Sequence, residues 1–240
     1  MRRALFVILL LTIPARAQLV ENVAARSDPT QTYTLFLPRA YDSAKKHPLL
    51  LVFDPRGRGT QGATIFQAAA DEYGWIVISS NQTRSDGSAE PNERAVRALL
   101  GETARYAVDE RRVYAAGFSG TAILAWGVGI ATRRLAGVIA VGGRYVDSVP
   151  PSRFNFAHYG FAGDRDFNNR EMRLIEERLD GEGRFPHRFQ PFDGDHRWIP
   201  PELAREAIGW MEVLAGNDRV RDTVFAEDVS AADALAGLDA

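Results

Sequence analysis

Apolar positions fall into short runs separated by polar, Gly- or Pro-rich breaks, and strand-like runs alternate with helix-like ones. Residues 32–37 alternate apolar and polar side chains, as a half-exposed edge strand does, and stop at Pro38. Residues 49–53 are apolar without interruption, the pattern of a strand covered on both faces. Asp54-Pro55-Arg56-Gly57-Arg58-Gly59 breaks that run into a loop. A helix is predicted over 66–73, ended by Gly74, and a strand over 75–79. Residues 81–92 form a polar loop, and Pro91 sits near the start of a helix running through Tyr106. A buried strand follows at 113–116 and a mostly apolar helix at 122–132. Further strands are predicted at 138–141, 156–161 and 188–192, with helices at 169–179 and 202–214. Alternating strand and helix predict the α/β class: a mainly parallel, doubly wound sheet with helices on both faces. No internal repeat at a solenoid period occurs.

The two ends depart from this pattern. Arg2 and Arg3 precede an apolar run over residues 4–13, and Ala15-Arg16-Ala17 supplies small residues before Gln18. That is the layout of a secretory signal peptide, so residues 1–17 are expected to direct export to the periplasm or beyond. The run is too short for a membrane span, which needs about 20 residues. Residues 18–215 form the expected domain. Residues 216–240, rich in Ala, Asp and Leu, form a tail read either as a docked amphipathic helix, with Val229, Leu235 and Leu238 on one face, or as a disordered acidic end.

Composition narrows the chemistry. The chain has 240 residues, 45% hydrophobic and 25% charged, which fits one globular domain able to fold on its own core. The absence of cysteine removes thiolate nucleophiles, zinc ribbons, Fe–S clusters and disulfides. The formal net charge is -2, and removal of residues 1–17 takes away three arginines and no acid, so no basic footprint for nucleic acid is present.

Gly117-Phe118-Ser119-Gly120-Thr121 lies between the strand at 113–116 and the helix at 122–132. A serine on a sharp strand-to-helix turn is lifted above the sheet, and the amide of Gly120 then faces the oxygen of a tetrahedral intermediate. The bland alternative is an N-cap serine after a buried strand. A serine nucleophile needs a base, and the base needs a carboxylate. Of four histidines, His47 stands at a strand start, His158 within a strand and His187 in a turn. His196 lies in the loop after the last strand, where a doubly wound sheet presents groups at its carboxyl edge. Asp166, after the strand at 156–161, is the first choice of acid. Asp164 is the alternative acid, or else a brace for the turn. The second oxyanion donor is expected from the loop after residue 53, through the backbone N–H of Arg56 or, next, Gly57. Asp54 reads as structural, paired with Arg56 or Arg58.

These residues resemble the α/β-hydrolase superfamily, in particular small secreted esterases related to polyhydroxyalkanoate depolymerases, feruloyl esterases and phospholipase/carboxylesterases. The resemblance runs from about Tyr33 to Leu214 through LLLVFDPRGRG, YGWIVISSN, VDERRVYAAGFSG, YGFAGDRDFNNREM and FDGDHRWIPPELAREAIGWM. It implies Ser119 as nucleophile, His196 as base, Asp166 as acid, and oxyanion amides from Gly120 and the Arg56 region. It implies two-step hydrolysis of a small-molecule or polymeric carboxylic ester with no metal and no cofactor. Two positions depart from the family. Thr121 stands where the elbow usually has glycine, implying a looser or re-aimed turn, and Asp54-Pro55 replaces the usual His-Gly of the oxyanion loop. These departures keep open a binding protein without turnover; a serine peptidase is a further alternative. No long insertion suggests a lid. Arg56, Arg58, Arg84 and Arg144 stand either as a cationic lining for an acidic substrate or as solvated surface charges.

Overall fold

The computed structural model describes residues 17–144, 149–182 and 185–216. The expected export signal, apart from Ala17, and the tail beyond residue 216 lie outside the described residues.

Among the described residues eight strands form one sheet: β1 (Gln18–Ala24), β2 (Thr32–Leu37), β3 (His47–Phe53), β4 (Ile76–Ser80), β5 (Val108–Phe118), β6 (Gly137–Val141), β7 (Ala157–Gly163) and β8 (His187–Phe192). Their spatial order is β1-β2-β4-β3-β5-β6-β7-β8. β1 and β2 are antiparallel to their neighbours, and all pairs from β4 through β8 are parallel. Among the described residues four helices connect strands, α1 (Gly59–Tyr73), α2 (Glu90–Gly101), α3 (Gly120–Thr132) and α4 (Asn169–Glu182), and α5 (Pro201–Leu214) follows β8.

The uninterrupted apolar runs have a simple cause: both faces of the sheet are covered. Leu49, Leu51 and Phe53 of β3 join one core with Val113, Ala115, Val138 and Ala140, beneath Val96, Leu99, Trp126 and Leu179 of α2, α3 and α4. Leu50 and Val52 point the other way and join Tyr114, Ala116, Ile139 and Val141 beneath Phe66 of α1 and Leu203 and Ile208 of α5. Each Leu, Ile, Val or Phe among them contributes about 1.5–3 kcal/mol by leaving water. The stacked pair Trp75 and Tyr114, with ring centroids 4.4 Å apart, anchors the second core.

Three elements differ from the sequence pattern. β1 carries no mark in the sequence: its first five residues are all exposed in an edge strand, so no apolar face announces it. α1 begins at Gly59, well before residue 66, because Gly59, Gly62 and Ala63 form its buried face there. A Cβ on Gly62 would approach Ser79 Oγ to 2.6 Å, so close helix–sheet packing excludes the large side chains that announce a helix. The helix expected through Tyr106 is α only to Gly101 and continues as a short 3₁₀ turn, Glu102–Ala104.

The strand order positions the site. From β3 the chain moves outward through α1 to β4, then returns through α2 to β5 on the other side of β3. The loops leaving β3 and β5 therefore diverge, and the crevice between them at the carboxyl edge is the expected ligand position in a doubly wound sheet. Phe53, at the end of β3, is the register partner of Gly117. No helix among the described residues is long and apolar enough to cross a membrane.

Candidate active site

β5 ends at Phe118 and α3 begins at Gly120, leaving Ser119 alone on the turn with φ 57° and ψ −131°. A positive φ at a non-glycine residue costs on the order of 1–3 kcal/mol, so its surroundings must hold it. Ser119 N–H donates to the Val141 carbonyl at 2.8 Å, and its own carbonyl accepts from Ala122 N–H at 2.9 Å. The turn is so tight that a Cβ on Gly117 would lie 2.0 Å from the Thr121 carbonyl oxygen.

Thr121 is bonded into this turn, where the resemblance implied a looser or re-aimed one. Its buried Oγ1 accepts from Phe118 N–H at 3.2 Å and lies 2.5 Å from the Phe53 carbonyl and 2.7 Å from that of Phe118. The hydroxyl thus ties the turn to the end of β3.

Ser119, His196 and Asp166 come together. Ser119 Oγ is 2.9 Å from His196 Nε2, and His196 Nδ1 is 2.9 Å from both Asp166 oxygens. A carboxylate only accepts, so Nδ1 carries the hydrogen toward Asp166 and Nε2 is left to accept from the serine. Asp166 is buried, whereas the His196 side chain keeps about a fifth of its surface open. A turn after β7 presents the acid: Asp166 N–H donates to the Gly163 carbonyl at 3.0 Å, and Asn168 N–H donates to Asp166 Oδ1 at 2.8 Å.

Asp164, the alternative acid, faces a different partner. Its Oδ1 accepts from Gly194 N–H at 3.0 Å, in the loop that carries His196, and this bond holds its carboxyl below the usual range. Arg165 bridges Asp164 and Asp193, at 3.2 and 2.9 Å. Asp164 therefore braces the histidine loop. The other histidines sit at the opposite edge of the sheet or within it: His47 opens β3, His158 is buried in β7, and His187 opens β8 beside Asp180.

The oxyanion side departs from expectation at Arg56. Its N–H donates to Asp54 Oδ1 at 2.8 Å, Arg58 N–H reaches the same oxygen at 3.1 Å, and Gly57 N–H donates to the Asp54 carbonyl at 3.1 Å. An acid at the strand end captures the amides that the loop would otherwise turn toward a ligand. Gly120, by contrast, opens α3, and the first N–H groups of a helix have no acceptor within it.

Asp54 is fully buried and also accepts from the Arg58 guanidinium, at 3.0 and 3.1 Å, and from the Trp198 indole at 3.0 Å. Burial alone would raise its carboxyl; the hydrogen bonds from Arg58, Trp198 and the two amides outweigh it and lower it. Of the four arginines considered for a cationic lining, Arg56 and Arg58 line a cleft of about 410 Å³ with Ser119 and His196. Arg84 donates to the Thr83 carbonyl, and Arg144 pairs with Glu171 at 3.2 Å.

Sequence reasoning missed three contributors. Phe118 and Phe167 lie against the His196 ring at centroid distances of 4.6 and 4.3 Å, and Phe167 is 74% exposed at the mouth of the site. Ser85, from the loop after β4, lines the same cleft. A single Phe or Ser in a loop carries no signal of spacing or period.

No protein-family model and no curated protein sequence matches the chain. Solved structures do. A ferulic acid esterase superposes with a TM-score of 0.63 at 17% identity, over 82% of this chain and 96% of that one. The S-formylglutathione hydrolase FrmB from Staphylococcus aureus gives 0.67 at 14% identity, over 84% and 99%. FphF, a fluorophosphonate-binding serine hydrolase of the same organism, gives 0.66 at 13% identity, over 81% and 98%. Together with the strand order and the turn at Ser119, these likenesses show that the chain has the α/β-hydrolase fold.

Proposed function

We propose that this protein is a serine hydrolase that cleaves carboxylic esters through an acyl-enzyme. The observation that carries this reading is the hydrogen-bonded line from Asp166 through His196 to Ser119, raised on a strained turn at the carboxyl edge of the sheet. His196 Nε2 takes the proton of Ser119 as Oγ attacks the ester carbonyl. Asp166 holds the imidazole in the tautomer that can accept, and stabilises the imidazolium that forms. The Gly120 N–H faces the developing oxyanion. His196 then protonates the leaving alcohol, and a water activated by the same nitrogen hydrolyses the acyl-serine. The steps need no metal and no cofactor.

The esterase names among the structural neighbours support an ester as substrate. Turnover of a panel of short p-nitrophenyl acyl esters tests the reading. Wild type should hydrolyse at least one of them, and Ser119→Ala should lose about 10⁴-fold or more in kcat. A binding protein without turnover is the second reading, favoured by the capture of the Arg56 and Arg58 amides by Asp54; no hydrolysis across the panel would select it.

We further propose that residues 1–17 direct export. N-terminal sequencing of the protein recovered from outside the cytoplasm should begin at Gln18; recovery of the intact N-terminus from the cytoplasm would contradict this.

A further inference from the structure

We propose that the side-chain hydroxyl of Ser85 supplies the second oxyanion donor, in place of the amide that the loop after β3 directs at Asp54. This inference rests on the serine-hydrolase reading and deepens it.

Three observations meet at this residue. First, the N–H groups of Arg56, Gly57 and Arg58 all donate to Asp54, which leaves the Gly120 side of the oxyanion without its usual partner. Second, Ser85 Oγ is shielded from solvent and has no hydrogen-bond partner among the described residues. A buried hydroxyl without a partner costs about 1–3 kcal/mol, so its retention calls for an acceptor that arrives with the substrate. Third, Ser85 packs directly on Gly120: a Cβ added to Gly120 would lie 2.9 Å from Ser85 Oγ, 2.9 Å from its Cβ and 3.1 Å from its Cα. The absence of a side chain at Gly120 is what admits Ser85 to this position, next to the helix-opening amide.

The backbone of Ser85 is fixed by the very loop whose amides are turned away. Ser85 N–H donates to the Pro55 carbonyl at 3.0 Å. Pro55 has no N–H of its own, and its carbonyl holds the donor loop against the strand end. Rotation about the Cα–Cβ bond carries the hydroxyl oxygen from this shielded position into the cleft, where it donates its hydrogen to an oxygen held against the Gly120 amide. Ser85 lines the cleft together with Ser119 and His196, so that oxygen is on the carbonyl that Ser119 attacks. The proton stays on Ser85 throughout; the residue stabilises charge and transfers nothing.

The test compares wild type with Ser85→Ala and Ser85→Cys, each checked to be folded with a melting temperature no lower than that of wild type. Two readouts are taken: kcat and KM on the best p-nitrophenyl ester, and inhibition by a trifluoromethyl ketone analogue of that ester, whose adduct with Ser119 carries the oxyanion. Ser85→Ala should lose about 100- to 1,000-fold in kcat with KM changed little, and the ketone should weaken by a similar factor. Ser85→Cys, which keeps the side-chain size but donates weakly, should fall between the two and serves alone if Ser85→Ala does not fold. Ser85 variants within threefold of wild type in kcat, or a loss of kcat with no loss of ketone affinity, would overturn the proposal. Wild-type protein that hydrolyses no ester would instead overturn the serine-hydrolase reading on which it stands.

Discussion

The Trp198 indole N–H donates to Asp54 Oδ2 at 3.0 Å, across 144 residues of sequence. Trp198 lies 5.6 Å from Phe118, and Phe118 lies 4.6 Å from His196, so the carboxylate at the end of β3 supports the wall on which the base rests. Five hydrogen bonds from Arg56, Arg58 and Trp198 converge on this one side chain.

Replacing Asp54 should therefore cost both stability and activity. Asp54→Ala leaves the buried Trp198 N–H and two loop amides without their acceptor, a loss of about 2–3 kcal/mol. Urea unfolding at pH 7 measures it, and a difference below 0.5 kcal/mol, roughly that of an ordinary surface substitution, would contradict the assignment.

The same residue shapes the acid limb of stability. Its folded-state carboxyl is lowered, so the stabilisation is fully present above the unfolded value of about 3.9 and is lost as pH falls through the folded value. Asp54→Asn should flatten the stability–pH curve below about pH 4. A parallel acid limb in wild type and variant would refute this.

Asp166 and Asp164 separate the two roles that adjacent acids play. Asp166→Asn should lower kcat on a short p-nitrophenyl ester by about 10⁴-fold, because the amide no longer holds the accepting tautomer of His196. Asp164→Asn removes a brace for Gly194 and should cost no more than about tenfold. The reverse ranking would exchange the assignments.

Thr121 offers a test of the elbow. Thr121→Val keeps the shape and removes the hydroxyl that meets Phe53 and Phe118, so it should destabilise the fold by about 1–3 kcal/mol, while Thr121→Ser should retain most of the stability. Calorimetric melting of both variants decides it; equal losses would point to packing of the methyl group instead.

His158 predicts a second pH effect, far from the cleft. Burial, with His187 as its register partner nearby, pushes its imidazole down to about 3. The unfolded chain binds a proton at about 6.5, so the fold loses stability as pH falls from 6.5 toward 3, by up to about 1.4 kcal/mol per pH unit. His158→Leu should reduce the stability difference between pH 7 and pH 5. An unchanged difference would show that His158 is not the group responsible.

The parallel core was legible because strands covered on both faces carry uninterrupted apolar runs, as Leu49 to Phe53 does. The meeting of Ser119 and His196 was legible because turn and topology put both residues at strand ends. β1 was not, since an exposed edge strand has no face to mark, and the start of α1 was hidden by the small residues that its close packing requires. The oxyanion side was read less well for a specific reason. The Arg56 amide is taken up by the side chain two residues before it, and Ser85 reaches Gly120 only through the β4-to-α2 loop. Neither leaves a trace in periodicity or spacing.

Ser119 should behave as an activated nucleophile. Folded protein treated with a fluorophosphonate and mapped by peptide mass spectrometry tests it most directly. A single adduct on the peptide carrying Ser119, absent in Ser119→Ala and formed far more slowly in His196→Ala, is the predicted result. Folded protein that stays unlabelled, or that carries the adduct on another residue, would contradict it.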